Sequence, residues 1–182
     1  MKSSAMALLA IVLLFVVVSS DIEAARPNLS NNSSADTAGA RTFVGKKRPE
    51  FTFKDLQGQP RSPANWDGKV VVVNFWATWC VPCRKEIPFF NALQKEYGDK
   101  GVQFVGIAID DQKAVERFIQ IIPIEYPVLI GNTAAIQTAQ AYGNVAGALP
   151  FTAFIDRTGH IAAIATGGLT EAVTRRKIEE LL

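Results

Sequence analysis

The chain has few residues that bind metals or cross-link a fold. Its 182 residues include two cysteines and one histidine, whereas a structural zinc site takes about four such ligands. The cysteines, Cys80 and Cys83, are separated by only two residues, so a bridge between them would close a small ring and restrain little of the unfolded chain. The sequence therefore disfavours a zinc site and a stabilising disulfide framework, and it favours a bridge that is made and broken.

Strong charge and cofactor signatures are also absent. The net charge at pH 7 is +2, which is too small to indicate a nucleic acid or an acidic substrate. No flavin-binding or nicotinamide-binding motif is present, and no internal repeat is visible. We therefore expect no cofactor, no resident metal and no nucleic-acid partner.

The first 25 residues are predicted to be a signal peptide or an N-terminal anchor. Lys2 precedes an uncharged apolar run at residues 5–18, and small residues follow, including Ser20 and Ala24, which is typical of a secretory signal. The run is shorter than the roughly 20 residues that cross a bilayer comfortably, although an uncleaved anchor stays open. No cysteine lies there to carry a lipid. We expect an exported, periplasmic protein that is soluble or tethered by this segment.

Residues 26–46 are predicted to be a flexible linker, and residues 47–182 the folded domain. The linker is rich in Asn, Ser, Ala and Gly and has little apolar periodicity. The domain alternates strand patterns with helical ones, starting with two strands at residues 49–54 and 69–75 and ending with a strand pair and a helix. This order predicts an α/β fold with helices on both faces of a sheet.

The cysteines lie where a buried strand is predicted to turn into a helix. Four consecutive valines at residues 70–73 favour a central strand, and a helical pattern follows Cys80 as far as Tyr97. The free N–H groups and the positive dipole end of such a helix stabilise a thiolate at its start, and the thiolate is the reactive form of cysteine. Strand, turn, Cys-x-x-Cys and helix together are an arrangement for thiol–disulfide exchange.

Five segments in the right order resemble the exported TlpA/ResA-like thiol–disulfide oxidoreductases of the thioredoxin superfamily. They read FTFKDLQGQP, VVVNFWATWCVPCRKEIP, VGIAIDD, YPVL and GALPFTAFIDRTG. The resemblance covers residues 45–182. It implies a thioredoxin fold, with a central mixed sheet and helices on both faces, to which an N-terminal β-element and a central αβ insertion at residues 110–130 are added.

Two departures from that family bear on function. Residues 143–149 form a longer loop than the short Gly-x-Pro approach of typical thioredoxins. Phe151 follows Pro150, where specialists in cytochrome maturation commonly carry an acidic residue. The second departure weakens a specific assignment to cytochromes.

The resemblance and the cysteine chemistry assign roles to the residues of the motif. Cys80 is the predicted nucleophile, which forms a mixed disulfide with a partner, and Cys83 is the resolving thiol, which we expect to be more buried. Glu86 takes the position of an acid that handles protons during exchange, and a partly desolvated carboxylate there would have a raised pKa. Asn74 stands where thioredoxins carry a buried acid, so Glu86 is the candidate that remains.

The resemblance also implies a partner-binding wall far along the chain. The Leu149–Pro150 bond is expected to be cis and to lie against Cys80, which leaves the backbone of Leu149 free to pair with an extended segment of a partner. Trp79 is expected to supply an apolar surface for partners. Partner binding is thus predicted for Trp79 and Leu149, and a catalytic function for Cys80, Cys83, Glu86 and Pro150.

Val81 and Pro82 favour the reducing direction. Neither carries a charge, and Pro82 has no backbone N–H to offer a thiolate. The dithiol is therefore stabilised less than in strong oxidants, and its reduction potential is lower. We expect the chain to reduce disulfides of other exported proteins, with cytochrome c maturation as one option. A membrane electron donor would re-reduce it.

Other functions stay open. The two cysteines and His160 would suit a Cu(I)-binding chaperone, although such chaperones usually carry a wider cysteine spacing. A module that binds partners without catalysis is a further alternative. A peroxidase is disfavoured, because thioredoxin-fold peroxidases carry a proline–threonine–cysteine pattern ahead of the reactive thiol, and Ala77, Thr78 and Trp79 precede it here.

Overall fold

A computed structural model describes residues 42–182, and a mixed sheet forms the centre of this region. The strands are β1 (Phe53–Asp55), β2 (Pro60–Arg61), β3 (Val70–Trp76), β4 (Val102–Ala108), β5 (Val128–Ile130), β6 (Phe151–Ile155) and β7 (Ile161–Thr166). The helices are α1 (Val81–Tyr97), α2 (Gln112–Ile119), α3 (Ala134–Ala141) and α4 (Glu171–Glu179). The strand order is β2–β1–β5–β4–β3–β6–β7. Strands β3, β4 and β5 are parallel to one another, and all other neighbouring pairs are antiparallel, so the sheet is mixed as predicted.

Alternation along β3 gives the sheet two apolar faces. Val71, Val73 and Phe75 pack with residues of α3 in one core cluster. Val70 and Val72 pack with residues of α1 and α4 in another. Every residue of β3 is buried, which explains why its sequence is a near-continuous apolar run. Helices therefore cover both faces, and the predicted fold class is confirmed.

The first predicted strand, at residues 49–54, is shifted in the structure. The paired segment is β1, and the two-residue strand β2 that follows it was not indicated by the sequence pattern. Residues 49–52 belong to no strand. Before them, Arg48 N donates to Gly159 O in the β6–β7 turn (2.9 Å), and after them β1 pairs with both β2 and β5.

The insertion predicted at residues 110–130 consists of α2 and β5. Strand β5 pairs in parallel with β4 and antiparallel with β1, so it connects the N-terminal β-element to the main sheet. Helix α2 packs Val115 and Phe118 into the cluster that contains Trp76 and Cys83. The insertion therefore lies beside the cysteines.

Packing contacts of the domain begin before its predicted start at residue 47. Phe43 packs against the core cluster of β3 and α3, and Gly45 N donates to Ile161 O (2.8 Å). The folded domain thus includes residues that the sequence placed at the end of the linker. The predicted signal peptide or anchor and the linker up to residue 41 lie outside the described residues. None of the helices within residues 42–182 has the length and hydropathy of a membrane span.

Candidate active site

The two cysteines lie at the junction between β3 and α1. Cys80 is the N-cap residue of α1, and its Sγ accepts a hydrogen bond from Cys83 N (3.3 Å). The sulfurs form a disulfide with an S–S distance of 2.03 Å. Cys80 is 5% exposed and Cys83 is 1% exposed, so Cys83 is the more buried residue, as expected. The first-turn amide and the helix dipole point at Cys80 Sγ, an arrangement that stabilises a thiolate.

The turn before Cys80 is fixed by a carboxylate from the neighbouring strand end. Asp110 Oδ2 accepts a hydrogen bond from Thr78 N (2.6 Å), and Cys80 N donates to Ala77 O (3.1 Å). Trp79 is left 66% exposed beside the disulfide. The turn therefore holds Cys80 in place while it presents the indole ring of Trp79 to solvent.

Asp110 and Asp111 have different roles, which the sequence pattern does not separate. Both are candidates for capping the next helix, but only Asp111 caps α2, by accepting a hydrogen bond from Ala114 N (2.9 Å). Asp110 instead turns back to the cysteine turn. Its partner Thr78 is 32 residues away, so no local signal could have indicated this contact.

Glu86 is a buried carboxyl on the face of α1 that carries Cys83. It is 1% exposed and lies one helical turn after Cys83. Its Oε1 accepts a hydrogen bond from Leu169 N (2.5 Å), whereas Oε2 has no hydrogen-bond partner among residues 42–182. Burial raises the pKa of Glu86 to about 7, against the lowering effects of the Leu169 amide and the Asn74 side chain. The carboxyl therefore changes protonation near neutral pH, where a proton-handling acid is effective.

Two other buried polar side chains near Glu86, those of Asn74 and Tyr126, do not change protonation near neutral pH. Asn74 is buried in β3, and its Nδ2 donates to Thr152 Oγ1 in β6 (3.0 Å). An amide in this position cannot take up a proton near neutral pH. Burial, together with the charge of Glu86, raises the pKa of Tyr126, so this phenol stays protonated.

The loop between β7 and α4 connects three parts of the site. Gly167 N donates to Pro150 O (2.8 Å), Leu169 N donates to the buried carboxylate, and Gly168 lies against Pro82. A Cβ on Gly168 would come within 3.4 Å of Pro82 Cβ. No motif marks this loop in the sequence, because its contacts are made mainly by backbone atoms.

The Leu149–Pro150 peptide bond is cis, as the resemblance implied. Pro150 is buried, whereas Leu149 is half-buried and lines an apolar cleft together with Trp79 and Cys80. The fold therefore brings the six predicted site residues together around the start of α1: Cys80, Cys83, Glu86, Trp79, Leu149 and Pro150.

His160 lies away from this site. It precedes β7 at the β6–β7 turn, at the opposite end of β6 from Pro150, and its Nδ1 is 2.8 Å from Thr158 Oγ1. Across the described range, no three Asp, Glu, Cys or His side chains come together as metal ligands. Both cysteines and His160, the ligands of the Cu(I) site that the sequence left open, therefore lie in different parts of the described domain.

Similarity to known proteins agrees with the geometry. The family model described as Redoxin matches residues 43–182. The chain belongs to the Redoxin family. The thiol-disulfide oxidoreductase ResA of Geobacillus kaustophilus is 35% identical to this redoxin over 139 residues, which cover 76% of this chain and 78% of the relative. The ResA of Halalkalibacterium halodurans is 32% identical over 150 residues, which cover 82% of each chain.

A solved structure shares the fold. A thiol:disulfide interchange protein of the thioredoxin family from Chlorobium tepidum matches this redoxin with a TM-score of 0.67 at 31% identity, over 75% of this chain and 95% of that one. The resemblance to TlpA/ResA-like proteins that the five segments carry is thus confirmed. This redoxin is a thiol–disulfide oxidoreductase, and the Cys80–Cys83 disulfide fits that chemistry.

Proposed function

We propose that this redoxin reduces disulfides of other exported proteins with Cys80 and Cys83 as its dithiol. The proposal rests on the different positions of the two sulfurs. Cys80 lies at the positive end of α1 and lines a cleft that is open to solvent, while Cys83 is enclosed behind it. One accessible and one enclosed sulfur suit attack on a partner by Cys80 and resolution by Cys83.

The proposed exchange runs through a mixed disulfide. The Cys80 thiolate attacks one sulfur of the partner disulfide, forms a bond to it and releases the other partner sulfur as a thiolate. Cys83 then attacks Cys80 Sγ, which closes the Cys80–Cys83 disulfide and releases the second partner thiolate. Two electrons pass to the partner, whose two thiolates take up protons.

Glu86 handles the proton of Cys83 in this scheme. The Cys83 thiol must lose its proton before it attacks, and the Glu86 carboxylate lies on the same buried face of α1. With a pKa of about 7, Glu86 can take the proton near neutral pH and release it afterwards. The hydrogen bond from Leu169 N occupies Oε1, which leaves Oε2 to meet the thiol.

The two residues between the cysteines support the reducing direction. Val81 and Pro82 are exposed and uncharged, and Pro82 has no N–H. The Cys80 thiolate is therefore stabilised by the Cys83 amide and the helix dipole, without help from a charged neighbour inside the motif. A less stabilised thiolate makes the dithiol a stronger reductant.

The proposed place of action is outside the cytoplasmic membrane. The positive start at Lys2 and the apolar run at residues 5–18 support export, to a periplasm in which the protein is soluble or tethered by its N-terminal segment. Because the sequence has no flavin or nicotinamide motif, a membrane electron donor is proposed to restore the dithiol. Preparation of cysteines for cytochrome c maturation is one use of such a reductase.

The reduction potential of the Cys80–Cys83 couple tests whether the protein reduces or oxidises its partners. We expect a value closer to the roughly −270 mV of thioredoxin than to the roughly −120 mV of a strong periplasmic oxidant, because no charge inside the motif stabilises the thiolate. The measurement is equilibration in dithiothreitol or glutathione buffers, followed by alkylation of the free thiols and mass spectrometry.

Two variants of the residues between the cysteines distinguish the effect of charge on the reduction potential from the effect of side-chain shape. Pro82→His introduces an N–H group and a side chain that can be positive, so it should raise the potential. Val81→Ile changes only the apolar surface and should leave the potential unchanged. A wild-type potential near that of a strong oxidant would contradict the reductase assignment.

A further inference from the structure

We propose that a groove on the outer face of α1 is the interface through which two copies of this redoxin associate. This α1 groove lies between α1 and the segment that joins α2 to β5, and its volume is about 440 Å³. None of its lining residues also lines the cleft beside Cys80. The inference therefore concerns a second surface and goes beyond the proposed chemistry of the cysteines.

Helix α1 forms one wall of the α1 groove. Its lining residues are spaced i, i+3, i+4 and i+7, and they are Pro88, Asn91, Ala92 and Lys95. Residues at this spacing lie on one stripe of a helix. Three of the four are exposed and Asn91 is half-buried, so this stripe is the part of α1 that the core leaves uncovered.

The second wall is fastened to the first by one side chain. Its lining residues are Ile122, Pro123 and Glu125. Asn91 Nδ2 donates to Pro123 O (2.9 Å), and Asn91 Oδ1 accepts from Glu125 N (2.8 Å). The α1 groove is therefore preformed, and a partner does not have to order it on binding.

A large apolar side chain projects into solvent next to this wall. Ile121 is 79% exposed, the highest value among the large apolar side chains of residues 42–182. Ile121 N and Ile122 N both donate to Phe118 O (2.9 Å each), and Ile122 packs against the core cluster that contains Cys83. The turn thus leaves Ile121 outside the core. Covering its side chain removes apolar area from water and favours association.

Charges of opposite sign on the two walls identify a second copy as the occupant. Lys95 and Glu125 are both exposed, and neither forms an ion pair within residues 42–182. A two-fold axis along the groove would place Lys95 of either copy opposite Glu125 of the other. The α1 groove is thus complementary in charge to itself, whereas a partner of a single charge sign would be repelled by one wall.

Mixed-isotope cross-linking tests this contact directly. Full-length chains with ordinary and with isotopically heavy nitrogen are mixed, treated with a carbodiimide that joins a lysine amine to an adjacent carboxylate, and digested for mass spectrometry. We expect linked peptides that join Lys95 to Glu125 and contain one heavy and one ordinary peptide, because only a link between two chains gives that combination. Their absence, while other surface cross-links form, would contradict the proposed contact.

Ile121→Glu should weaken the dimer by at least about tenfold, because association would then bury a charge at the interface. Sedimentation velocity over a range of protein concentrations measures the dissociation constant, which we expect to be micromolar for the wild-type chain. Val44→Glu is the matched control, since Val44 is 44% exposed and lies outside the groove. It should dimerise like the wild-type chain. All of these chains share the N-terminal segment, so association through that segment would not distinguish them.

Two charge reversals test the pairing of the walls. Lys95→Glu would place glutamates opposite each other in its own dimer, and Glu125→Lys would place lysines opposite each other. Each variant alone should therefore associate at least about tenfold more weakly than the wild-type chain. A mixture of the two variants should dimerise again, because every facing pair then has opposite charges. A fold that was merely damaged would not be restored by mixing.

The outcomes separate the dimer from the proposed reductase function. A wild-type chain that stays monomeric, or a dimer that none of the three groove variants weakens, would overturn the dimer alone. Ile121→Glu should still reduce insulin at the wild-type rate, since the α1 groove and the cleft beside Cys80 share no lining residue. A monomeric wild-type chain whose insulin reduction a folded Ile121→Glu variant lost would assign the groove to a substrate protein instead. The cross-linking uses the wild-type chain, so it decides even if a variant does not fold.

Discussion

Replacement of Cys80 by serine should lower the catalysed reduction of insulin disulfides by roughly 1,000-fold or more. A serine hydroxyl is not ionised near neutral pH. The remaining sulfur, that of Cys83, is 1% exposed and cannot take over the attack on a protein disulfide. The measurement is the precipitation of reduced insulin chains with dithiothreitol as the electron source, corrected for the uncatalysed reaction.

Cys83→Ala is the matched comparison for Cys80→Ser. It keeps Cys80, so the first partner thiol should still be released at a rate similar to that of the wild-type protein. The reaction should then stop, because no second sulfur resolves the mixed disulfide. Loss of the first step in Cys83→Ala together with its retention in Cys80→Ser would reverse the assigned order of the two cysteines.

Replacement of Glu86 by glutamine should slow the resolution step by about 100-fold at neutral pH. Glutamine preserves the shape and the hydrogen bond from Leu169 N, but it cannot accept the proton of Cys83. In the wild-type protein, resolution should accelerate as pH rises through the Glu86 pKa of about 7. In the variant, the acceleration should move toward the ordinary thiol pKa of about 8.5. The measurement is the release rate of the second partner thiol as a function of pH, by rapid quench.

The same substitution should remove a pH dependence of stability from the oxidised protein. The pKa of Glu86 is about 7 in the folded protein, against 4.5 for an unperturbed glutamate, so the folded state binds this proton more tightly than the unfolded state. The contribution is fully present below the lower pKa and is lost as pH rises through the higher one, by about 3 kcal/mol. Urea denaturation above neutral pH should therefore show Glu86→Gln to be more stable than the wild-type protein by a similar amount.

Glu125→Gln is the control for both effects of Glu86→Gln. Glu125 is exposed, so its replacement should preserve the wild-type pH profiles of resolution and of stability. An unchanged resolution profile in Glu86→Gln would rule out the proton-handling role. An unchanged slope of stability against pH would show that the buried carboxyl is not its source.

The sequence predicted the elements around the cysteines closely, because their causes are local. The strand expected at residues 69–75 forms at Val70–Trp76, and the helix after Cys80 ends at Tyr97, as its apolar spacing indicated. A run of valines buried on both faces and a cysteine at a helix start are patterns of neighbouring residues. The first strand was shifted because Phe51 of the alternating segment is buried in the core without pairing in the sheet.

The contacts that complete the site could not be predicted in this way. Thr78 N binds Asp110 across 32 residues, and Leu169 N binds Glu86 across 83 residues. Both donors are backbone amides, which leave no residue-specific pattern in the sequence. The resemblance supplied the position of Pro150, but it supplied neither of these hydrogen bonds.

Covalent capture of a partner examines the first step of the proposed exchange. The full chain with Cys83→Ala would be incubated with insulin, quenched by alkylation and analysed by intact-protein and peptide mass spectrometry, beside a Cys80→Ala chain treated identically. We expect Cys83→Ala to carry a partner chain in disulfide linkage to Cys80 that dithiothreitol releases, and Cys80→Ala to carry none. An adduct on Cys83 in the Cys80→Ala chain, with none on Cys80 in the other, would contradict the proposed chemistry.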